Sequence, residues 1–337
     1  MTRPTKDTGR SAWLWLGVAA LLAGGPLVMD GYALTLMTLV FLFAFLGLAW
    51  NLTLGYAGIL SLGHALFFGV GGYATAVLAE KYGIVPWFGI PIGGLLGAAL
   101  GAAIAWLGFR FAVRGVYFAL MTIAFAEFTR ILFDHWDTVG ASGGFFFHKL
   151  DDDASKLVNL RGSGTLFYFG FLALVTATYF LTRWMINGKL GFYWRSLRED
   201  PEAAQALGVK VLRMQMLNVA ISAFLTGVGG GMFALMNGSL FPGTMFGMSM
   251  SIEMIIAPIL GGLGTLSGPL VGALIVVPVR EFSNEIGRSA GIFGMNTLVY
   301  GVLVLIIITF MPKGVGPKIR DLVTGRRRGK PGGKDHA

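Results

Sequence analysis

Long apolar stretches without a formal charge make up most of the chain, and short charged clusters separate them. Gly31 to Ala79 contains no Asp, Glu, Lys or Arg, and neither do Tyr82–Phe109, Gly162–Thr182, Met214–Ile252, Met254–Val279 or Ser289–Pro312. About 20 apolar residues carry an α-helix across the hydrocarbon core of a bilayer. In lipid the backbone must satisfy its own polar groups, so such runs predict helices. The ~10-residue alternation of a membrane β-barrel does not occur. The pattern therefore predicts an all-α, polytopic membrane protein with about 8–10 transmembrane helices. The expected spans are Trp13–Met29, Tyr32–Trp50, Tyr56–Ala79, Trp87–Phe109, Val116–Phe133, Leu166–Ile186, Met216–Met236 and Asn296–Phe310.

One region resists this reading. Ile252–Val279 is long enough for a span, but Gly261-Gly262-Leu263-Gly264-Thr265-Leu266-Ser267-Gly268-Pro269 divides it. Gly and Pro at this density break helices. Irregular backbone at membrane depth is tolerated where protein buries it or where it lines a wet cavity. The expectation is a broken or re-entrant element, with two half-length helices entering and leaving on one side. Gly55, Gly58, Gly63, Gly69, Gly71 and Gly72 make Tyr56–Ala79 a second Gly-rich segment of this kind. Gly93, Gly97 and Gly101 form a doubled small-xxx-small pattern, which predicts close helix packing.

Charge assigns the sides. Basic residues gather at the ends: Arg3, Lys6 and Arg10, then Lys313, Lys318, Arg320, Arg326, Arg327, Arg328, Lys330 and Lys334. Cytoplasmic flanks of membrane proteins carry this excess. The expected organisation is a cytoplasmic tail at 1–12, a membrane domain at 13–312 and a second cytoplasmic tail at 313–337. A single span over 252–279 would put the two tails on opposite sides; a broken element keeps both cytoplasmic. Within the domain, 134–165 is acidic on balance and expected outside, whereas 187–213 is basic and expected inside. The first apolar run lacks a small-x-small cleavage site and reads as a retained span. The net charge of +9 is explained by these flanks, so no nucleic-acid partner is expected. With no cysteine among 337 residues, disulfides and thiolate metal sites are excluded.

The stretch with most local information is Arg198-Glu199-Asp200-Pro201-Glu202-Ala203-Ala204-Gln205-Ala206-Leu207-Gly208. Asp200 is a preferred N-cap, and Pro201 suits the first helical position. Glu202 places negative charge at the positive end of the helix dipole, and the alanines favour helix. Gly208 suits the left-handed position that ends one. A capped helix over residues 201–207 follows, about 10 Å long.

This loop resembles the EAA loop of bacterial ABC importer permeases, in which a short helix docks into a cytoplasmic ATPase. The resemblance implies that Asp200, Pro201, Glu202, Ala203, Ala204 and Gly208 couple to ATP hydrolysis. It extends further. Asn51-Leu52-Thr53-Leu54-Gly55-Tyr56-Ala57-Gly58-Ile59-Leu60-Ser61-Leu62-Gly63-His64 and Phe67-Phe68-Gly69-Val70-Gly71-Gly72-Tyr73 are similar to the opening of LivM-type branched-chain amino-acid permeases. Ser251-Ile252-Glu253 and Gly261–Pro269 follow in the same order, so the likeness spans roughly residues 32–312. One departure stands out: the general Ile-x-Leu-Pro continuation is replaced by Leu217-Asn218-Val219-Ala220-Ile221-Ser222, as LivM-type members commonly show. The resemblance implies a bacterial inner-membrane, multi-pass subunit importing branched-chain or other hydrophobic amino acids. It also implies two cytoplasmic ATPase subunits, a second permease of the LivH type and a periplasmic binding protein as partners. No Gly-x-x-x-x-Gly-Lys-Ser/Thr loop is present, so ATP hydrolysis falls to partner chains and the chain is not expected to be an enzyme. A urea or short-chain amide importer is the nearest alternative, and an ion-coupled secondary transporter the next.

Polar residues within apolar runs are few, and each is a candidate for function. Glu127, Arg130 and Asp134 share a helix face and are expected to pair. Asn51, Tyr56, Ser61, His64 and Glu253 are the candidate residues of a substrate path, although His64 in a Gly-rich segment more often bonds to neighbouring backbone. No catalytic dyad or triad, metal site or cofactor is expected.

Overall fold

The computed structural model describes residues 17, 22–146, 164–290, 298–302, 305 and 309. Both basic tails and the acidic run Asp151–Asp153 lie outside the described residues, as do parts of the expected spans Trp13–Met29 and Asn296–Phe310.

Asp30 opens the first long helix, accepting from the Ala33 N–H at 2.8 Å through Oδ1. Helix α1 (Gly31–Asn51) is apolar all round, and every residue from Val40 to Asn51 is buried. A helix without a polar face belongs in an interior, and α1 is the central strut. It runs into a five-residue π-helical turn, Leu52–Tyr56. After a non-helical link comes α2 (His64–Tyr82), then α3 (Pro86–Arg110) and α4 (Val116–Asp134). The strand β1 (Phe145–Phe146) precedes α5 (Gly164–Asn187), and two short helices follow, α6 (Lys189–Glu199) and α7 (Pro201–Ala206). Helix α8 (Val211–Asn237) leads to β2 (Ser239–Leu240), which pairs antiparallel with β1. The described helices close with α9 (Pro242–Met245), α10 (Met248–Gly261) and α11 (Gly268–Ala290).

The protein is an all-α, multi-pass membrane protein. Among the described residues, Gly31–Tyr56, Pro86–Arg110, Val116–Asp134, Gly164–Asn187, Val211–Asn237 and Pro242–Gly261 are long and apolar enough to cross a bilayer. Helix α2 falls short in apolarity because it faces protein. Its buried residues include His64, Thr75 and every residue of the Phe67–Tyr73 run except Val70. The expected span Tyr56–Ala79 is thus corrected. Its first residues belong to the π turn and the link, and helix resumes only at His64.

Glycine sets how closely α2, α3 and α8 approach. A Cβ on Gly71 would fall within 3.0 Å of the Gly227 backbone, and one on Gly93 within 3.0 Å of Gly71 O. One on Gly227 would stand 3.0 Å from Gly93 O. The three helices cross at these three residues. Gly97 and Gly101 continue the same edge of α3 against Ala223, which is the packing their spacing predicts. Elsewhere α3 exposes Leu95, Leu96, Leu100 and Trp106, an apolar surface suited to lipid.

Helices α10 and α11 form an antiparallel hairpin. A Cβ on Gly261 would collide with Gly268 O, and one on Gly272 with Ala257 O. The break expected at Gly261–Pro269 is present, with residues 262–267 non-helical. The expectation of two half-length limbs is corrected on both sides, since α9 and α10 together, Pro242–Gly261, are long and apolar enough to cross a bilayer. Helix α10 alone has 14 residues, about 21 Å, and α11 has 23, about 35 Å. It continues past the apolar stretch to Ala290, and the first charge it meets, Arg280, is accepted by neighbouring protein groups. Arg280 pairs with Glu253 and Glu281 and lies over the Phe43 ring at 4.9 Å. On α4, Arg130 joins Glu127 and Asp134, each at 2.6 Å, as their three- and four-residue spacing predicts.

Candidate functional site: the capped helix and its supports

At the end of the bundle where α1 gives way to its π turn, α6 and α7 pass beneath the long helices. Gly191, Trp194 and Leu197 bury one side of α6, and Trp194 Nε1 donates to Met214 O of α8 at 3.3 Å. Asp200 then breaks the path with an extended conformation. Its Oδ1 accepts from the N–H groups of Glu202 and Ala203 at 2.9 and 3.1 Å, satisfying two of the donors a helix start leaves free. Pro201 occupies the first turn. The helix ends at Ala206, one residue before the expected Leu207. Gly208 has φ +87°, a conformation that side chains resist. Only Ala204 is buried on α7; Glu202, Ala203, Gln205, Ala206 and Leu207 are exposed. Arg114, from the turn after α3, reaches Glu202 at 3.5 Å. The result is a short rod, held at both ends, with one face open.

Above it, the candidate path residues have protein partners. Asn51 Nδ2 donates to Thr265 O and its Oδ1 accepts from Gly264 N–H, both at 2.9 Å, tying α1 to the hairpin tip. His64 is fully buried between two hydroxyls, Ser61 Oγ at 3.1 Å from Nδ1 and Ser222 Oγ at 2.9 Å from Nε2. The expected backbone partner for His64 is corrected to these side chains. Ser61 also presents its carbonyl to Trp50 Nε1 at 2.8 Å. Tyr56 is buried at the end of the π turn. Glu253 lies apart, on α10, in its ion pair with Arg280. Ser61 and His64 therefore bond to each other, Asn51 bonds instead to the hairpin tip, and Glu253 pairs on its own with Arg280.

Residues 32–311 match the family model described as the permease component of the branched-chain amino acid transport system. The chain belongs to this family. The permease LivM of Escherichia coli, a high-affinity branched-chain amino acid transport protein, is 26% identical over 90% of this chain and 75% of its own length. A probable LivH permease of Methanocaldococcus jannaschii is 27% identical over 80% of the chain and 86% of its own. A nucleoside ABC transporter permease, NupC of Lactococcus lactis, is 25% identical over 77% and 86%. No solved structure matches the chain. Within the branched-chain permease family the chain is of the LivM type, a transport permease subunit.

Sequence reasoning missed part of this permease's architecture. Three carbonyls around the π turn accept from side chains far away in the chain. Ser222 Oγ donates to Ala49 O at 2.7 Å, Asn218 Nδ2 to Leu52 O at 3.0 Å and Arg198 Nη1 to Gly55 O at 2.5 Å. The departure from Ile-x-Leu-Pro at 217–222 carries two of these donors. A polar pair four residues apart in an apolar helix was the available signal, since both side chains face one side. Ser222→Ala removes the donor to Ala49 O and leaves His64 Nε2 facing a methyl group. The expected loss is about 1–3 kcal/mol, visible as a lower unfolding temperature of the detergent-purified permease.

Proposed function

We propose that this chain is the transmembrane permease subunit of an ATP-driven importer for branched-chain or other hydrophobic amino acids. It sits in the bacterial inner membrane with both termini in the cytoplasm. The observation that carries this reading is α7, whose exposed face offers Glu202, Ala203, Gln205 and Leu207 to a partner at the end of the bundle. Capping by Asp200 and the turn at Gly208 make the rod stiff enough to transmit a push. Two cytoplasmic ATPase subunits supply that push; a second permease of the LivH type completes the pore, and a periplasmic binding protein delivers substrate. In this arrangement 134–165 faces the periplasm and 187–213 the cytoplasm. Asp200, Pro201, Glu202, Ala203, Ala204 and Gly208 couple the chain to hydrolysis. Asn51, Tyr56, Ser61 and His64 shape the path by holding backbone in place. Closure of the ATPase pair shifts the population of the bundle between two accesses. The branched-chain substrate rests on the LivM relative, and the nucleoside permease makes nucleosides the comparison substrate in the test.

The chain has no cysteine, so Gln205→Cys supplies a single cross-linking position on the exposed face. In membranes containing the native partners, a short bifunctional reagent should join Gln205→Cys to an ATPase subunit, with a yield that changes on nucleotide binding. The same membranes should accumulate labelled leucine, isoleucine or valine in preference to urea or nucleosides. An ATPase-free adduct pattern overturns the coupling assignment, and uptake confined to nucleosides overturns the substrate.

A further inference from the structure

The rod at Pro201–Ala206 touches little of the bundle directly, so its displacement needs a route inward. The α6 terminus supplies one. Arg198 stands two residues before the Asp200 cap, and its guanidinium donates to Gly55 O at 2.5 Å. Its Cα, Cβ and Cγ press on Gly58, where an added Cβ would stand 3.1–3.3 Å away. Its Nη1 also lies 3.0 Å from where a Cβ on Gly264 would be. Gly264 has φ +70°, and Gly55 O would be 2.8 Å from that same Cβ. Three backbone segments therefore meet at one point with no room for a side chain: the π turn, the hairpin tip and the end of α6. Asn51 fastens two of them, spanning Gly264 N–H and Thr265 O, and Arg198 fastens the third.

From this juxtaposition we infer that Arg198 and Asn51 act as two pins of a latch that makes the α10–α11 hairpin tip follow the α7 rod. The inference rests on the coupling role proposed for α7 and names the element that the rod moves. The chemistry of the pins is suited to the task. Asn51 uses both a donor and an acceptor on consecutive residues of the tip, which fixes its register as well as its distance. Arg198 donates to a carbonyl in a π turn, where the helical ladder is already displaced. The tip itself, residues 262–267, is irregular backbone inside a membrane bundle, the kind of segment that persists where protein holds it or a wet path passes. Arg198 and Asn51 are positioning residues; neither is assigned contact with substrate.

The test uses the complete importer reconstituted in vesicles. Arg198→Ala should keep assembly and basal ATP hydrolysis, and Asn51→Ala is read by a pair of spin labels. The stimulation of hydrolysis by the substrate-loaded binding protein, and transport per ATP, should fall on the order of tenfold, the scale of coupling between two sites. Arg198→Lys, which keeps one donor for Gly55 O, should recover part of the loss. Spin labels at Gln205→Cys and Leu263→Cys read the motion itself. In the otherwise unaltered chain their separation should stay the same between nucleotide-free and vanadate-trapped states, because rod and tip move together. With Asn51→Ala it should change. Should Arg198→Ala fail to assemble, Asn51→Ala and the label pair still decide. Transport at the unaltered rate in Asn51→Ala, or a label separation that changes equally with and without that substitution, overturns the latch. If Gln205→Cys still cross-links to the ATPase in that case, the coupling role of α7 stands and the latch alone is lost.

Discussion

A chain carrying Glu202→Lys together with Gly208→Val should reach the membrane in normal amount and take up no substrate above background. Each substitution attacks one end of α7 and leaves the bundle alone. Glu202 sits in the first turn beside the Asp200 cap, where negative charge complements the helix dipole and a lysine opposes it. Gly208 takes φ +87° with no atom near its missing Cβ. Valine there meets no steric neighbour, yet a β-branched residue at positive φ is a conformational outlier, at a cost of about 1–2 kcal/mol. The exposed Arg114–Glu202 pair at 3.5 Å contributes little to folding, so its loss should not reduce insertion. Uptake of labelled amino acid and the amount of membrane-inserted chain, measured side by side, check this. Undiminished uptake would remove α7 from the mechanism.

Gly71→Ala and Gly230→Ala should destabilise the bundle, although alanine ordinarily favours a helix over glycine by about 1 kcal/mol. The sign reverses because the added methyl group meets backbone. At Gly71 it falls within 3.0 Å of Gly227 O, Cα and C, and at Gly230 within 3.0 Å of Phe68 O and C. Backbone of a packed helix cannot rotate away as a side-chain tip can, so α2 and α8 must separate. Overpacking of this kind costs about 1–3 kcal/mol, occasionally more, and both sites should lie at the upper end. Gly31→Ala is the matched control: it lies in the first turn of α1 with nothing within 4 Å, and it should be neutral or slightly stabilising. Thermal unfolding of the three variants in detergent gives the order. Equal melting temperatures would mean that the α2–α8 contact at the three-helix crossing is looser than described.

Much of this was legible from neighbours along the chain. The charge-free runs predict membrane helices because a bilayer interior rejects charge and unpaired backbone. The Asp200-Pro201 start and Gly208 stop locate α7 to within one residue because capping is a local hydrogen-bond and dihedral problem. Glu127, Arg130 and Asp134 pair as their spacing requires. The boundary at His64 was not legible. Tyr56–Ala79 is free of charge, and although its glycines mark it as a segment apt to break, they are spread along it and do not tell at which residue helix resumes. The extent of α11 was hidden for a related reason. Its charged half reads as leaving the membrane until Glu253 and Phe43 are found beside Arg280.

The contacts at the candidate site divide along the same line. Composition and local pattern were sufficient for the membrane environment, the helical class and the capped rod, since each depends on solvent or on residues a few positions apart. The partners of Arg198, Asn218, Ser222 and Asn51 lie 143, 166, 173 and 214 positions away. Which carbonyl each donor reaches depends on how closely glycine lets the helices approach, and only the assembled bundle sets that distance.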